Sequence, residues 1–175
     1  MKLSASTTNW VDLFRGCKSS AVHLEMRDAY AVKDEKGRLA AWRAGNDPSR
    51  TDPAYRREWL DLVEETVARG VAIRRARIVG EPVSEYIKYE HAGTQLNIDA
   101  GEQVRWLARH RATGIALPAN DFWVYDGRLV EFNLFDGNGR KVGQELTEDP
   151  GVVRLCVEAF ASVWERGTDH AEYSV

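Results

Sequence analysis

At 175 residues, with 43% hydrophobic and 29% charged side chains, the chain is long enough for one domain with its own core and far from the composition of a disordered segment. Its formal net charge of −3, from 24 Lys+Arg against 27 Asp+Glu, lacks the basic excess that replaces counterions along a phosphate backbone, so no direct nucleic-acid binding is expected. The opening Met1-Lys2-Leu3-Ser4 is not an apolar leader and no window is long and apolar enough to span a bilayer, so the expected compartment is the cytoplasm, with no membrane partner.

A single domain over residues 1–175 is expected, with residues 1–8 flexible. Asn9 is placed to cap a short helix, Trp10 to Gly16, with Trp10, Leu13 and Phe14 on one side. From Ser20 to Val32, Val22, Leu24 and Met26 alternate with His23, Glu25 and Arg27, which predicts a half-buried strand. A polar turn, Lys33 to Arg38, leads to a second short strand, Leu39 to Arg43, and Gly45 to Arg50 is a loop by composition. Asp52 then caps a helix with Pro53 in its first position, where the missing N–H costs nothing. Tyr55, Trp59, Leu62, Val63 and Val67 recur at helical spacing until Gly70.

Val71 to Val79 predicts a strand with Arg74, Arg75 and Arg77 interleaved, ended by Glu81-Pro82. Ser84 to His91 predicts a short helix exposing Tyr86 and Tyr89. From Gln103 to His110, Asp99 and Glu102 offer a capping box while Val104, Trp106 and Ala108 alternate, and the strand is favoured. Phe122 to Tyr125 and Leu129 to Phe135 form a hairpin about Asp126-Gly127. A turn at Asp136-Gly137-Asn138-Gly139 leads to a third strand around Val142 to Leu146. Asp149-Pro150 opens a last helix with an apolar stripe of Val153, Cys156, Val157, Phe160, Val163 and Trp164, closed by Gly167. This order is α/β, with mixed α+β as the variant: a mixed sheet flanked by helices. Gly70-Val71-Ala72-Ile73-Arg74 and Gly101-Glu102-Gln103-Val104-Arg105 form a weak internal echo.

Several chemistries lack their signatures. No Walker-type or dinucleotide-binding glycine loop follows a strand, and no helix follows Gly137-Asn138-Gly139, which fits a hairpin turn. His23, His91, His110 and His170 show no metal-ligand spacing, and each is expected to be a surface or hydrogen-bonding group. No nucleophile elbow is present. Lys18 beside Cys17 is the one feature expected to lower a thiol pKa, with no partner base. Cys17 and Cys156 fit small buried thiols. No metal or cofactor is expected.

Acidic candidates are Asp121 and Asp126 around Phe122-Trp123-Val124-Tyr125, with Glu131 across the hairpin. The favoured reading gives Asp121 the end of a loop and Asp126 the turn; the other gives them acid–base work. Arg75 and Arg77 share a strand face and suit either an anionic ligand or a neighbouring carboxylate, Glu25 being the first partner to test.

Four strings carry a resemblance: Val22 to Tyr30 (VHLEMRDAY), Arg74 to Pro82 (RRARIVGEP), Ala100 to Arg105 (AGEQVR) and Asp121 to Asp126 (DFWVYD). With the Trp164 to Tyr173 segment they resemble an uncharacterised actinobacterial family often encoded beside helix-turn-helix regulators, from about Phe14 onward. The order helix–Gly–strand, Asp126-Gly127 hairpin and final helix ending in Trp164 more distantly resembles one half of a phospholipase D-like domain. That superfamily needs H-x-K, with histidine as nucleophile and lysine on the phosphate. Here Glu25, Gly93, Ala112 and Glu172 stand two residues after the histidines, so the resemblance implies a pseudoenzyme scaffold that binds rather than cuts.

The expected function is therefore a non-catalytic accessory protein in transcriptional regulation. Its partner would be a small ligand or a helix-turn-helix regulator, bound through Glu25, Arg75, Arg77, Tyr86, Tyr89, Asp121, Trp123 and Asp126. The alternatives are a small-molecule enzyme using Arg75, Arg77, Asp121 and Asp126 in a polar cleft, and a structural homodimer.

Overall fold

The computed structural model describes residues 9–32, 35–48 and 53–175, the side chains of Pro53 and Tyr55 excepted. The elements, in chain order, are α1 (Trp10–Gly16), β1 (Ser20–Glu25), α2 (Glu35–Arg43), α3 (Pro53–Ala68), β2 (Ala72–Val79) and α4 (Glu85–Asp99). After them come β3 (Gln103–Ala108), a 3-10 turn (Arg109–Ala112), β4 (Phe122–Tyr125), β5 (Leu129–Phe135), β6 (Lys141–Thr147), α5 (Pro150–Arg166) and β7 (Thr168–Asp169). The seven strands form one mixed sheet in the order β6-β5-β4-β1-β2-β3-β7. β1, β2 and β3 run parallel, and the remaining neighbours pair antiparallel. The expected mixed sheet with flanking helices is what the chain forms. Among the described residues no helix is long and apolar enough to cross a membrane.

Strand alternation divides the sheet into two unlike faces. One face carries Leu24, Ala76, Ile78, Leu107, Phe122, Val124 and Val130, all buried against Val153, Cys156, Ala159, Phe160 and Val163 of α5. Asp149 caps α5, accepting from the Gly151 and Val152 N–H groups at 2.9 and 3.0 Å, with Pro150 in the first turn as expected. On the other face, apolar packing lies at two ends. Ala21, Ile73, Trp123 and Tyr125 meet Phe14 of α1 and Leu60 and Val63 of α3, while Val79, Val104 and Trp106 meet Ile87 of α4. Between those ends the strands present charge.

Three predicted elements differ from the structure. β1 stops at Glu25 instead of continuing to Val32, because the next backbone N–H, on Met26, donates to the Asp121 carboxylate at 2.9 Å and not to a strand. The predicted second strand at Leu39 to Arg43 belongs to helix α2, docked on α4 through Trp42 against Tyr89 and the Arg43–Glu85 ion pair. The helix predicted over Ser84 to His91 has its cap at Ser84 but runs to Asp99. Gly93 inside it is explained by packing: a Cβ there would lie 2.9 Å from the Arg56 guanidinium, which donates to the Gly93 carbonyl at 2.6 Å. The expected caps at Asp52, part of the Gly45 to Arg50 loop, and residues 1–8 and 33–34 lie outside the described residues.

The segment from Gln103 to Ala108 is a strand, so Glu102 caps nothing and is released for another task. The two glycines of the internal echo both sit at positive φ, +88° at Gly70 and +107° at Gly101, each turning a helix into a parallel strand. Both cysteines are free and buried, on opposite faces of the sheet.

Candidate functional site

The charged part of the second sheet face is built in two adjacent rows. In the first, the pairing register places Arg75, His23, Trp123 and Glu131 side by side across β2, β1, β4 and β5. In the second, Arg77 lies beside Glu25, with Asp121 just beyond the end of β4 and Asn133 on β5. Helical spacing supplies a roof. Arg56 and Trp59 share a face of α3, and Glu90 and Asn97, seven residues apart, share a face of α4. The result is a cleft with two merging lobes of about 560 and 740 Å³, both floored by His23, Arg75, Arg77 and Asn133 and flanked by Arg56 and Lys141.

Seven of the floor and wall residues form one ion network with the buried Glu102. Glu25 takes Arg75 Nη1 at 2.5 Å and His23 Nε2 at 3.2 Å on Oε1. Its Oε2 lies 2.8 Å from Arg77 Nε, close enough for ion pairing although the angle falls short of a hydrogen bond. Arg75 Nε donates to Glu102 at 2.7 Å, Asn97 donates to the other Glu102 oxygen at 2.6 Å, and Arg77 Nη1 donates to Glu90 at 2.9 Å. Arg56 closes the chain on Asn97 Oδ1 at 3.4 Å. Arg75 and Arg77 are 9% and 7% exposed, so these charges are desolvated and must be paired. Burial alone would raise the Glu25 pKa, but the Arg77 and Arg75 guanidiniums outweigh it and hold the carboxyl well below its usual range. The Arg77 guanidinium is pushed up in turn: Glu25 and Glu90 overcome its own burial.

Indole rings wall the network. His23 stacks on Trp123 with ring centroids 4.2 Å apart and planes 4° from parallel. Arg75 sits over Trp59 and Trp123 at 5.8 and 5.6 Å, and Arg77 over Trp106 at 5.1 Å. His23 Nδ1 faces the Phe122 carbonyl oxygen at 2.8 Å while Nε2 faces Glu25, so acceptors occupy both nitrogens. Asp121 accepts from Met26 N at 2.9 Å and from the Tyr30 hydroxyl, and burial, with Glu25 nearby, raises its pKa. Glu131 accepts from the Tyr125 hydroxyl at 2.8 Å. Asn133, 7% exposed, has a buried Oδ1 with no hydrogen-bond partner among the described residues.

Of the residues singled out from the sequence, Glu25, Arg75, Arg77, Asp121 and Trp123 meet at this cleft, and Tyr86 borders its larger lobe, donating to Glu35 at 3.0 Å. Asp126 does not join them. At φ +51° in the hairpin turn, it binds the loop before β1, accepting from Ser19 N at 2.7 Å, Ser19 Oγ at 2.8 Å, Lys18 N at 3.0 Å and Cys17 Sγ at 3.1 Å. Tyr89 is also displaced: it is 2% exposed, under α2. Trp123 is buried as well and Tyr86 only half exposed, so the expected exposed aromatics are structural walls.

The Cys17 thiol runs opposite to expectation. Burial and the Asp126 carboxylate push it up to about 11, and Lys18 meets Asp126 through its backbone N–H. Sequence reasoning passed over His23, Arg56, Glu90, Asn97, Glu102 and Asn133. The signal for His23 and Asn133 was strand parity: each lies two residues from an identified face residue, Glu25 and Glu131.

Among the described residues no three His, Cys, Asp or Glu side chains cluster to hold a metal ion. No curated protein matches the chain. Residues 8–175 match the family described as Domain of unknown function (DUF6879), and the chain belongs to that family.

Proposed function

We propose that this is a cytoplasmic, non-catalytic accessory protein whose cleft binds a small polar ligand and reports it to a partner, a helix-turn-helix regulator. The observation that carries the reading is that the protein itself occupies the three cleft side chains best placed as nucleophile or base, His23, Glu25 and Asp121. Both nitrogens of His23 face acceptors, Glu25 is shared among His23, Arg75 and Arg77, and both Asp121 oxygens are bonded. A general base needs a free lone pair within reach of a substrate proton, and a nucleophile needs a base beside it.

The phospholipase D-like reading belongs to the same proposal. In His23-Leu24-Glu25 a carboxylate occupies the place of the phosphate-binding lysine, and it is spent on Arg75 and Arg77. Such a scaffold keeps a cleft and loses its chemistry.

One observation favours the enzyme alternative: Asp121, with its raised pKa, shares the larger lobe with Arg75 and Arg77. Asp126, the fourth residue of that scheme, is engaged elsewhere. The test is a melting-temperature screen of the whole chain against a panel of polar metabolites, paired with Asn133→Phe, which fills the cleft floor. A ligand-dependent rise abolished in N133F is expected, and no rise with any compound overturns the reading. Turnover of a phosphodiester, lost in His23→Ala, overturns its non-catalytic part.

A further inference from the structure

We infer that the ligand is a small planar monocarboxylate, an aromatic acid held by the paired guanidiniums; this rests on the cleft being a ligand site. The argument is an inventory of unused hydrogen-bonding capacity. The buried carboxylates are engaged: Glu25 by His23, Arg75 and Arg77, Glu102 by Arg75 and Asn97, Asp121 by Met26 and Tyr30, Glu131 by Tyr125 and Glu35 by Tyr86. A guanidinium has five N–H donors. Arg75 commits Nε and Nη1, and Arg77 commits Nη1 while its Nε leans on Glu25. Neither Nη2 group has an acceptor among the described residues, and neither is among the buried unpartnered atoms, so both remain open to the cleft. What the floor offers is donors, and its complement is an acceptor-rich anion.

Charge and shape narrow the class. The cations lining the lobes, Arg56, Arg75, Arg77, Arg140 and Lys141, are already met by Glu25, Glu35, Glu58, Glu90, Asp121 and Glu131, so one added negative charge is tolerated far better than two, which disfavours a phosphate dianion. Arg75 and Arg77 are two residues apart on one strand face, roughly 7 Å along β2, and already share the Glu25 carboxylate, one oxygen each, so the pair converges on a flat carboxylate. The indoles of Trp59 and Trp123 beside Arg75 give the body of such an acid an aromatic wall. The unpartnered Asn133 Oδ1 adds an acceptor for a ring N–H or O–H.

The experiment is calorimetric titration of the whole chain with four probes: indole-3-acetate, naphthalene-1-acetate, tryptamine and inorganic phosphate. Indole-3-acetate is expected to bind at least tenfold tighter than tryptamine and to be undisturbed by equimolar phosphate. Arg75→Lys should weaken it more than tenfold. Because that variant strains the ion network, Asn133→Ala provides the independent check: it should weaken indole-3-acetate severalfold and leave naphthalene-1-acetate, which lacks the N–H, unchanged. Tryptamine binding as tightly as the acid, displacement by phosphate, or silence from both acids overturns the inference. If polar compounds of another chemistry still raise the melting temperature in an N133F-sensitive way, the cleft reading survives that loss; if nothing does, both fall together.

Discussion

The two faces of the sheet are made by the same strands and obey opposite rules. Against α5, the buried cluster is apolar throughout, and the arginines that share this face, Arg74 and Arg105, lie over Trp164 at its margin. Against α3 and α4, the intervening positions hold Glu25, Arg75, Arg77 and Glu131, buried just as deeply or nearly so. Hydrophobic packing is non-directional and tolerates repacking, whereas desolvated charge demands defined partners and repays little stability. The first face is built to fold. The second carries an energetic burden in desolvated charge, and it is there that the proposed ligand site lies.

That contrast can be broken by substitutions at four positions. The largest expected effect is on the charged face: Arg77→Met leaves Glu25 and Glu90 without their cation and should cost about 3–5 kcal/mol in urea unfolding. Glu25→Gln/Arg77→Met, which removes one charge of each sign, should recover at least half of that loss while abolishing ligand binding. If the double variant is no more stable than the single one, the network is structural. Next, Leu24→Ala on the apolar face should cost about 3 kcal/mol through cavity formation and leave ligand affinity unchanged. Affinity that changes tenfold would show the two faces to be coupled.

Smallest is Asp126→Asn, at about 2 kcal/mol near neutrality, since it weakens several charge-assisted bonds to the 17–20 loop. Burial opposes ionisation of Asp126, but bonds from Ser19, Cys17 and Lys18 prevail and hold its pKa below the usual carboxylate range. Its contribution is therefore complete above the unfolded value of about 4 and is lost as pH falls through the depressed folded one. The stability gap between wild type and variant should close on acidification from pH 5 towards pH 2.

What could be read from the sequence was local chemistry and parity. Asn9, Ser84 and Asp149 announce their helices because a cap acts within three residues. Glu25 could be matched to Arg75 and Arg77 because strand alternation fixes which side chains share a face. What could not be read depends on distant partners. Leu39 to Arg43 is an apolar run too short to distinguish strand from helix without the α4 surface that Trp42 docks on. The helix predicted to end at His91 continues to Asp99 through Gly93, whose carbonyl is held by Arg56, 37 residues away. The end of β1 was hidden for the same reason: Asp121, 95 residues on, intercepts the Met26 N–H. Asp126 was legible as a turn residue but not as the clasp of the β1 approach, because that role belongs to tertiary geometry.

The placement of the two thiols has a practical consequence. Cys17 is packed on the cleft side and Cys156 on the buried face of α5, both buried and both pushed up to about 11, burial being the first cause at each. An alkylating reagent at neutral pH meets neither as a thiolate while the fold is closed. Each sulfur therefore acts as a built-in reporter of its own layer, and mass-resolved alkylation distinguishes opening of the roof from opening of the core beneath α5, with no label introduced.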